Sequence, residues 1–336
     1  MILRIGEKEL SIFTPAKINL FLKVVGKRDD GYHNILSIFQ MISLYDQIIL
    51  EESAKGIELI SDNKDIPVDE KNLAFIAADK IIQRMRNKRG VAIKIIKRIP
   101  VAAGLGGGSS DAAAVMVGLN RMWKLGYTKE ELMIMGREIG ADIPFFFNGP
   151  SAMAMGRGDE LYPIEGDREW IILVNPDIRV STKWVYENLI PFFTPSKKRI
   201  TKGGGFSEDR EEKEIFDNAI IEKIRLTKDK NRNNINDFKI FFNKDDSIIN
   251  DLERVTVCKY PIIKKIKEEL NALGSKWSVM TGSGPAVFGI FKSQSEALIT
   301  KDVLMKRFNW KVWTAKTLNI SPYQEEQEAC IRQERR

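Results

Sequence analysis

The sequence predicts an α+β protein of two domains. Three observations carry that expectation. The chain has 336 residues, roughly two domains' worth. Apolar residues alternate with period two around 14–25 and 91–95, and helical spacing follows at 113–123 and 261–273. No repeat with a period of roughly 20–50 residues is visible, which sets solenoids aside.

Composition narrows the function classes. Apolar residues make up 43% and charged residues 29%, as in a soluble globular chain, and no stretch approaches the roughly 20 apolar residues of a membrane span. Met1 to Glu9 carry acids and lack an apolar leader, so a cytoplasmic location is expected. One histidine and two distant cysteines, Cys258 and Cys330, exclude a zinc site, a disulfide framework and a histidine-based triad. The formal charge of +7 suits an anionic ligand, although a solvated basic surface is its commonest meaning. No nucleic-acid or membrane partner is expected, and the oligomeric state is not legible.

The first element is a strand over Thr14 to Val25, which places Lys17, Asn19, Phe21 and Lys23 on one face and Ile18, Leu20, Leu22 and Val24 on the other. The apolar face is core. On the opposite face a lysine and an amide about 7 Å apart could hold two ends of one polar ligand, or simply meet solvent. A turn at Lys27 to Gly31 leads to Tyr32 and His33, a stacking ring beside a hydrogen-bonding ring that suits a planar base.

Val91, Ile93 and Ile95 form the next strand, and Ala113, Met116, Leu119 and Met122 or Trp123 recur on one helix face after it. Between them runs Ile99-Pro-Val-Ala-Ala-Gly-Leu-Gly-Gly-Gly-Ser-Ser-Asp111. Glycines there let backbone N–H groups converge on an anion at a helix start, with Ser109 or Ser110 as N-cap; an ordinary turn would use the same residues. The spacing is neither a P-loop nor G-x-G-x-x-G.

Thr128-Lys-Glu-Glu131 reads as a capping box, Leu132, Met135 and Ile139 as the buried face of its helix, and Gly140 as the terminator. Asp142 then sits just past a helix end. Pro144 stops continuation, and Phe145 to Phe147 are expected to begin a strand. A second helix is expected over Pro261 to Leu273, with Ile262, Ile266, Leu270 and Leu273 aligned and Gly274 ending it, before a Gly282-Ser-Gly284 turn feeds a strand. The stretch near 197–240 is dense in charge and reads as a solvated surface insertion.

Five blocks in this order, Pro15 to Leu20, Asp30 to His33, Pro100 to Asp111, Gly140 to Phe146 and Met280 to Phe288, resemble the GHMP kinase superfamily. Asn175 to Thr182 and Asn250 to Glu253 add weaker matches. The Asp-Gly-Tyr-His block narrows the resemblance to the branch whose acceptor is 4-diphosphocytidyl-2-C-methyl-D-erythritol. It implies a ribosomal-protein-S5-like N-terminal domain over residues 1–165, a ferredoxin-like C-terminal domain over 166–320 before a charged tail at 321–336, and a cleft between the two domains. It implies transfer of the ATP γ-phosphate to the acceptor's 2-hydroxyl, giving the 2-phosphate and ADP, in the non-mevalonate route to isoprenoid precursors. Another small-molecule kinase of the superfamily and a catalytically silent nucleotide-binding regulator are the alternatives.

The same resemblance implies residue roles. Lys17 and Asp142 are the catalytic candidates, with Asp142 as base or as positioner of the acceptor hydroxyl. Pro100, Val101, Ala102, Ala103, Gly104, Leu105, Gly106, Gly107, Gly108, Ser109 and Ser110 would wrap the ATP phosphates, and Asn19, Tyr32 and His33 would hold the acceptor. Magnesium is expected with ATP; Ser109, Ser110 and Asp111 are its candidates, none of them firm.

Overall fold

The computed structural model describes residues 2–4, 9–189, 250–321 and 323. The charged stretch near 197–240 and the tail beyond 323 lie outside these residues.

Seven strands form the first sheet: β1 (Ile2–Arg4), β2 (Glu9–Lys27), β3 (His33–Ser53), β4 (Ile57–Ser61), β5 (Gly90–Ile96), β6 (Ser151–Met155) and β7 (Glu160–Pro163). The order is β1-β2-β3-β5-β4, with β6 on β3 and β7 on β6. Four helices accompany it: α1 (Leu73–Gln83), α2 (Gly107–Met122), α3 (Lys129–Ile139) and α4 (Ile143–Asn148). Ile12, Ile48, Leu50, Ile93 and Ile95 of the sheet and Ala112 to Met116 of α2 are all buried. Each fully buried large aliphatic side chain contributes roughly 1.5–3 kcal/mol. Helix and sheet approach so closely that a Cβ on Gly118 would lie 2.4 Å from Leu50 and 2.6 Å from Ile12.

The second sheet holds β8 (Trp170–Asn175), β9 (Ser278–Met280), β10 (Val287–Phe291) and β11 (Lys311–Lys316) in the antiparallel order β11-β8-β10-β9. Its helices are α5 (Thr182–Glu187), α6 (Asp251–Lys259), α7 (Ile262–Ala272) and α8 (Gln294–Arg307). With helices between β8 and β9 and between β10 and β11, this is the ferredoxin-like order. No helix among the described residues is long and apolar enough to cross a membrane.

Three local expectations are corrected. The face assignment of the first strand fails because β2 carries register shifts at Pro15/Ala16, Asn19/Phe21 and Val24/Gly26. An extra residue reverses side-chain parity. Ile18 therefore joins a cluster with Ala16 and Ile42, while Leu22 and Val24 join the main core with Phe39, and Phe21 packs with Ile38 and Met153. Phe145 to Phe147 lie in helix α4, not in a strand; Pro144 takes an opening helical position, where its missing N–H costs nothing. In α7 the buried residues are Ile263, Ile266 and Leu270, so Ile263 replaces Ile262 in the core stripe. The capping box of α3 is present as expected.

Candidate active site

The loop between β5 and α2 reaches its shape through left-handed backbone at Ala102 (φ 53°), Gly104 (φ 76°) and Gly106 (φ 67°). Gly106, not Ser109 or Ser110, is the N-cap of α2, and no side chain among the described residues caps that helix. The N–H groups of Gly107, Gly108 and Ser109 are thus left to an external acceptor at the positive end of the helix. Gly104 is required sterically as well as conformationally: a Cβ there would lie 2.2 Å from the Thr281 carbonyl oxygen. At Gly106 it would lie 2.9 Å from Lys17 Cγ and 3.1 Å from the Phe146 ring.

The eleven loop residues are not equivalent. Val101, Ala102 and Gly108 are exposed, whereas Ala103 and Leu105 bury their side chains beside Ile99, Ala16 and Ile18. Pro100 has no N–H to offer. Ser110 is corrected as a phosphate contact: it is fully buried, its N–H donates to Gly106 O (2.9 Å), and its hydroxyl donates to Pro15 O (2.6 Å). Ser110 is therefore removed as a metal ligand too, and Asp111 is buried with Oδ2 held by the Lys97 ammonium (2.6 Å). No group of three or more His, Cys, Asp or Glu side chains that could hold a metal ion forms among the described residues.

Lys17 arrives from β2, whose Lys17 N–H donates to Leu105 O (2.9 Å) and so ties the strand to the glycine loop. Its ammonium lies 3.4 Å from Asp142 Oδ2, 2.9 Å from Asn19 Oδ1 and 4.4 Å from the Phe39 ring centroid. Asp142 stands at the N-cap of α4, and its side chain is about one-third exposed while that of Lys17 is buried. A buried cation beside an accessible carboxylate can offset charge on a reacting oxygen.

Asn19 does not present its amide to a ligand as the strand reading expected. It accepts from Lys17, its Nδ2 donates to Ser37 Oγ (2.9 Å), and its N–H donates to Thr281 Oγ1 (3.0 Å). At 2% exposure it is a brace behind Lys17.

The second sheet closes the other wall through the turn Thr281 to Gly284. Thr281 Oγ1 donates to Gly104 O (3.3 Å). Asn250 Nδ2 donates to Met280 O (2.6 Å) and Gly282 O (2.8 Å), Glu253 accepts from Met280 N–H (3.0 Å), and Asp251 accepts from Val24 N–H (2.9 Å). The weakly matching block at 250–253 is thus the clamp that joins the two sheets at the cleft.

His33 lies at the start of β3 and stacks on Tyr186, with ring centroids 5.0 Å apart and planes at 26°. Burial first and Lys27 second push its pKa below the usual histidine value, so the ring is neutral at pH 7. Tyr32 is 57% exposed and lies under the Arg157 guanidinium, 5.1 Å from its ring centroid. Tyr186 belongs to α5, which starts after the Ser181 cap and is held to the Gly-Ser-Gly turn by Thr182 and Ser283 (2.7 Å). Burial, and then the Asp142 charge, raise the Tyr186 phenol above its ordinary pKa. Tyr186 thus stacks on His33 within reach of the Asp142 charge. The sequence reading missed it, since only its position four residues after Thr182 pointed to it.

Comparison with known proteins agrees with this arrangement. The family models for the GHMP kinases N terminal domain and the GHMP kinases C terminal match residues 72–150 and 231–308. The 4-diphosphocytidyl-2-C-methyl-D-erythritol kinase of Acetivibrio thermocellus is 39% identical over 314 residues, covering 93% of this chain and all of its own. A crystal structure of 4-(cytidine 5'-diphospho)-2C-methyl-D-erythritol kinase superposes with a TM-score of 0.68 at 28% identity, over 91% of this chain and 98% of the other. A homoserine kinase from Cytophaga hutchinsonii, at 15% identity and TM-score 0.64 over 95% and 98% of the two chains, shares the fold alone. With the likeness running nearly end to end at that identity, the chain belongs to the 4-diphosphocytidyl-2-C-methyl-D-erythritol kinases, a family of GHMP kinases.

Proposed function

We propose that this protein transfers the γ-phosphoryl group of ATP to the 2-hydroxyl of 4-diphosphocytidyl-2-C-methyl-D-erythritol, a step in making isoprenoid precursors. The observation that carries the reading is the Lys17–Asp142 pair at 3.4 Å, set against the first turn of α2 and the glycine loop. Asp142 takes the proton of the acceptor hydroxyl. The freed oxygen bonds to the γ-phosphorus, the bond from that phosphorus to the bridging oxygen breaks, and the electron pair leaves with ADP. Lys17, braced by Asn19, offsets charge on the transferring group, and the N–H groups at the start of α2 hold the phosphates. Such positioning and electrostatic support is most of what phosphoryl transfer asks of a protein.

His33, Tyr186 and the exposed ring of Tyr32 are assigned to the cytosine end. A neutral imidazole offers one donor and one acceptor to a base edge, and the aromatic faces offer stacking. Magnesium would travel with ATP, neutralising its phosphates. The described residues offer no cage of carboxylates for it, so no step is assigned to a protein-held ion.

An ADP-release assay with ATP and magnesium tests the assignment against cytidine-diphospho methylerythritol, mevalonate, homoserine and galactose. Turnover with the cytidylylated acceptor alone is expected. Turnover with one of the others keeps a kinase but discards the acceptor assignment, and none with any of them favours a silent nucleotide-binding protein.

A further inference from the structure

Beneath the glycine loop lies a sealed group of three charged side chains that takes no part in the transfer itself. Lys97, just after β5, sends its ammonium to Asp46 Oδ2 and Asp111 Oδ2, both at 2.6 Å. The three side chains are at most 3% exposed. Burial opposes the charge on Lys97, but the two carboxylates outweigh it and raise its pKa, so it stays an ammonium. With both carboxyls ionised the group carries one net negative charge. One oxygen, Asp111 Oδ1, is buried without a hydrogen-bond partner among the described residues. Uncompensated charge of this kind is costly in a protein interior, and simple packing does not require it.

Its placement is what gives it a role. Asp46 Oδ1 accepts from the N–H groups of Arg98 (2.6 Å) and Ile99 (2.8 Å), which hold the start of the loop. At the other end a Cβ on Gly107 would lie 3.0 Å from Lys97 Nζ, so the ammonium rests against the first residue of α2. Asp111 is four residues further along that helix, about 6 Å by the helical rise. The remaining groups around Asp111 are Tyr323, Thr14 and Ser110. The Tyr323 hydroxyl meets Thr14 Oγ1 at 3.0 Å, Thr14 Oγ1 donates to Ser110 O, and the Asp111 charge reaches the Tyr323 phenol. Both ends of the loop are therefore anchored in one charged cluster a few ångströms below the place where a nucleotide's phosphates would sit.

We propose that the net charge of the Asp46–Lys97–Asp111 cluster sets the affinity of the glycine loop for nucleotide phosphates, with Lys97 as the counter-ion and positioning residue. This rests on the reading of the loop as the ATP phosphate site. Lys97 keeps two carboxylates from repelling the phosphates and holds the N–H groups of α2 in place. Asp111 weakens nucleotide binding by its charge, which favours release of ADP after the transfer.

The test uses the full chain and magnesium-ADP, with binding by calorimetry at about pH 8.5 and melting temperature measured separately. Four proteins are compared: the wild type, Lys97→Met, Asp111→Asn, and the two changes together. Lys97→Met should weaken ADP binding by about tenfold, the size expected of a unit charge about 10 Å away at an effective dielectric of about 20. The double variant, which restores the original net charge, should recover most of that loss, and Asp111→Asn alone should bind ADP more tightly than the wild type. The turnover of Lys97→Met at saturating ATP should stay within about threefold of the wild type, so that the loss falls on the Michaelis constant for ATP. Affinities that follow melting temperature instead of cluster charge overturn the proposal. So does weaker ADP binding by Asp111→Asn, an arm that decides the matter even if Lys97→Met does not fold. Failure of the wild type to bind ADP would overturn the phosphate-site reading along with it, whereas wild-type binding without the charge order overturns the cluster's role alone.

Discussion

The two ends of the cleft are built differently. At the transfer end, Lys17 and Asn19 are buried, their polar atoms are partnered within the protein, and the loop facing them is gripped by Thr281 from the second sheet. At the nucleobase end, Tyr32 is exposed, His33 is half-buried and Tyr186 comes from a six-residue helix. One end is braced by its own hydrogen bonds; the other offers aromatic faces on which a planar ligand can stack. Chemistry that depends on sub-ångström placement sits on a strand and a helix start, and recognition that depends on contact area sits at turns.

The sharpest way to break this contrast is Asp142→Asn. It should lower turnover roughly 10²- to 10⁴-fold, the usual range for losing an acid or base, in a variant whose melting transition shows it folded. Unchanged turnover in the folded variant would remove Asp142 from the chemistry. Gly104→Ala should come next. A side chain at φ 76° costs roughly 1–2 kcal/mol, and the 2.2 Å approach to Thr281 O forces the loop away from the turn. Lower stability and a raised Michaelis constant for ATP are expected; a variant that binds ATP normally would show that the loop is not held as described.

At the open end, Tyr186→Ala should raise the Michaelis constant of the cytidylylated acceptor about tenfold, since an aromatic pair is worth about 1 kcal/mol beyond its buried area. The constant for ATP should not move, and Tyr186→Phe should behave as the wild type. A change in both constants would mean that the two ends are not separable. The last effect is on stability against pH. Burial pushes Asp111 up to about 7, against the pull of Lys97 and with help from Asp46, while an unfolded aspartate titrates near 3.9. The folded state binds this proton more tightly, so the stabilisation is complete below about pH 4 and is lost as pH rises through about 7. The melting temperature of Asp111→Asn relative to the wild type should therefore climb between those values; a constant offset would remove the Asp111 carboxyl as the titrating group.

Much of the site was legible because its requirements are local. The glycines at 104 and 106 announce an unusual backbone, Thr128 and Glu131 announce a helix start, and Gly282-Ser-Gly284 announces a turn into a strand, all of which appear. Ser110 and Asn19 were misread for one reason: a polar side chain next to a motif can face inward, and only the partners at Pro15, Ser37 and Thr281 reveal it. Tyr186 escaped because stacking on His33 is a contact across 153 positions.

By itself the sequence determined the α+β class, the types of most elements, the glycine loop and the family, since these depend on spacing, propensity and φ preferences that each segment carries alone. Tertiary structure decided the rest. It reversed side-chain parity along β2 at the bulges, turned Phe145 to Phe147 into a helix, brought Lys17 to Asp142, and sealed Lys97 between Asp46 and Asp111. Each of those outcomes depends on which distant surface a segment packs against, and burial between two layers can override what alternation or a neighbouring proline suggests.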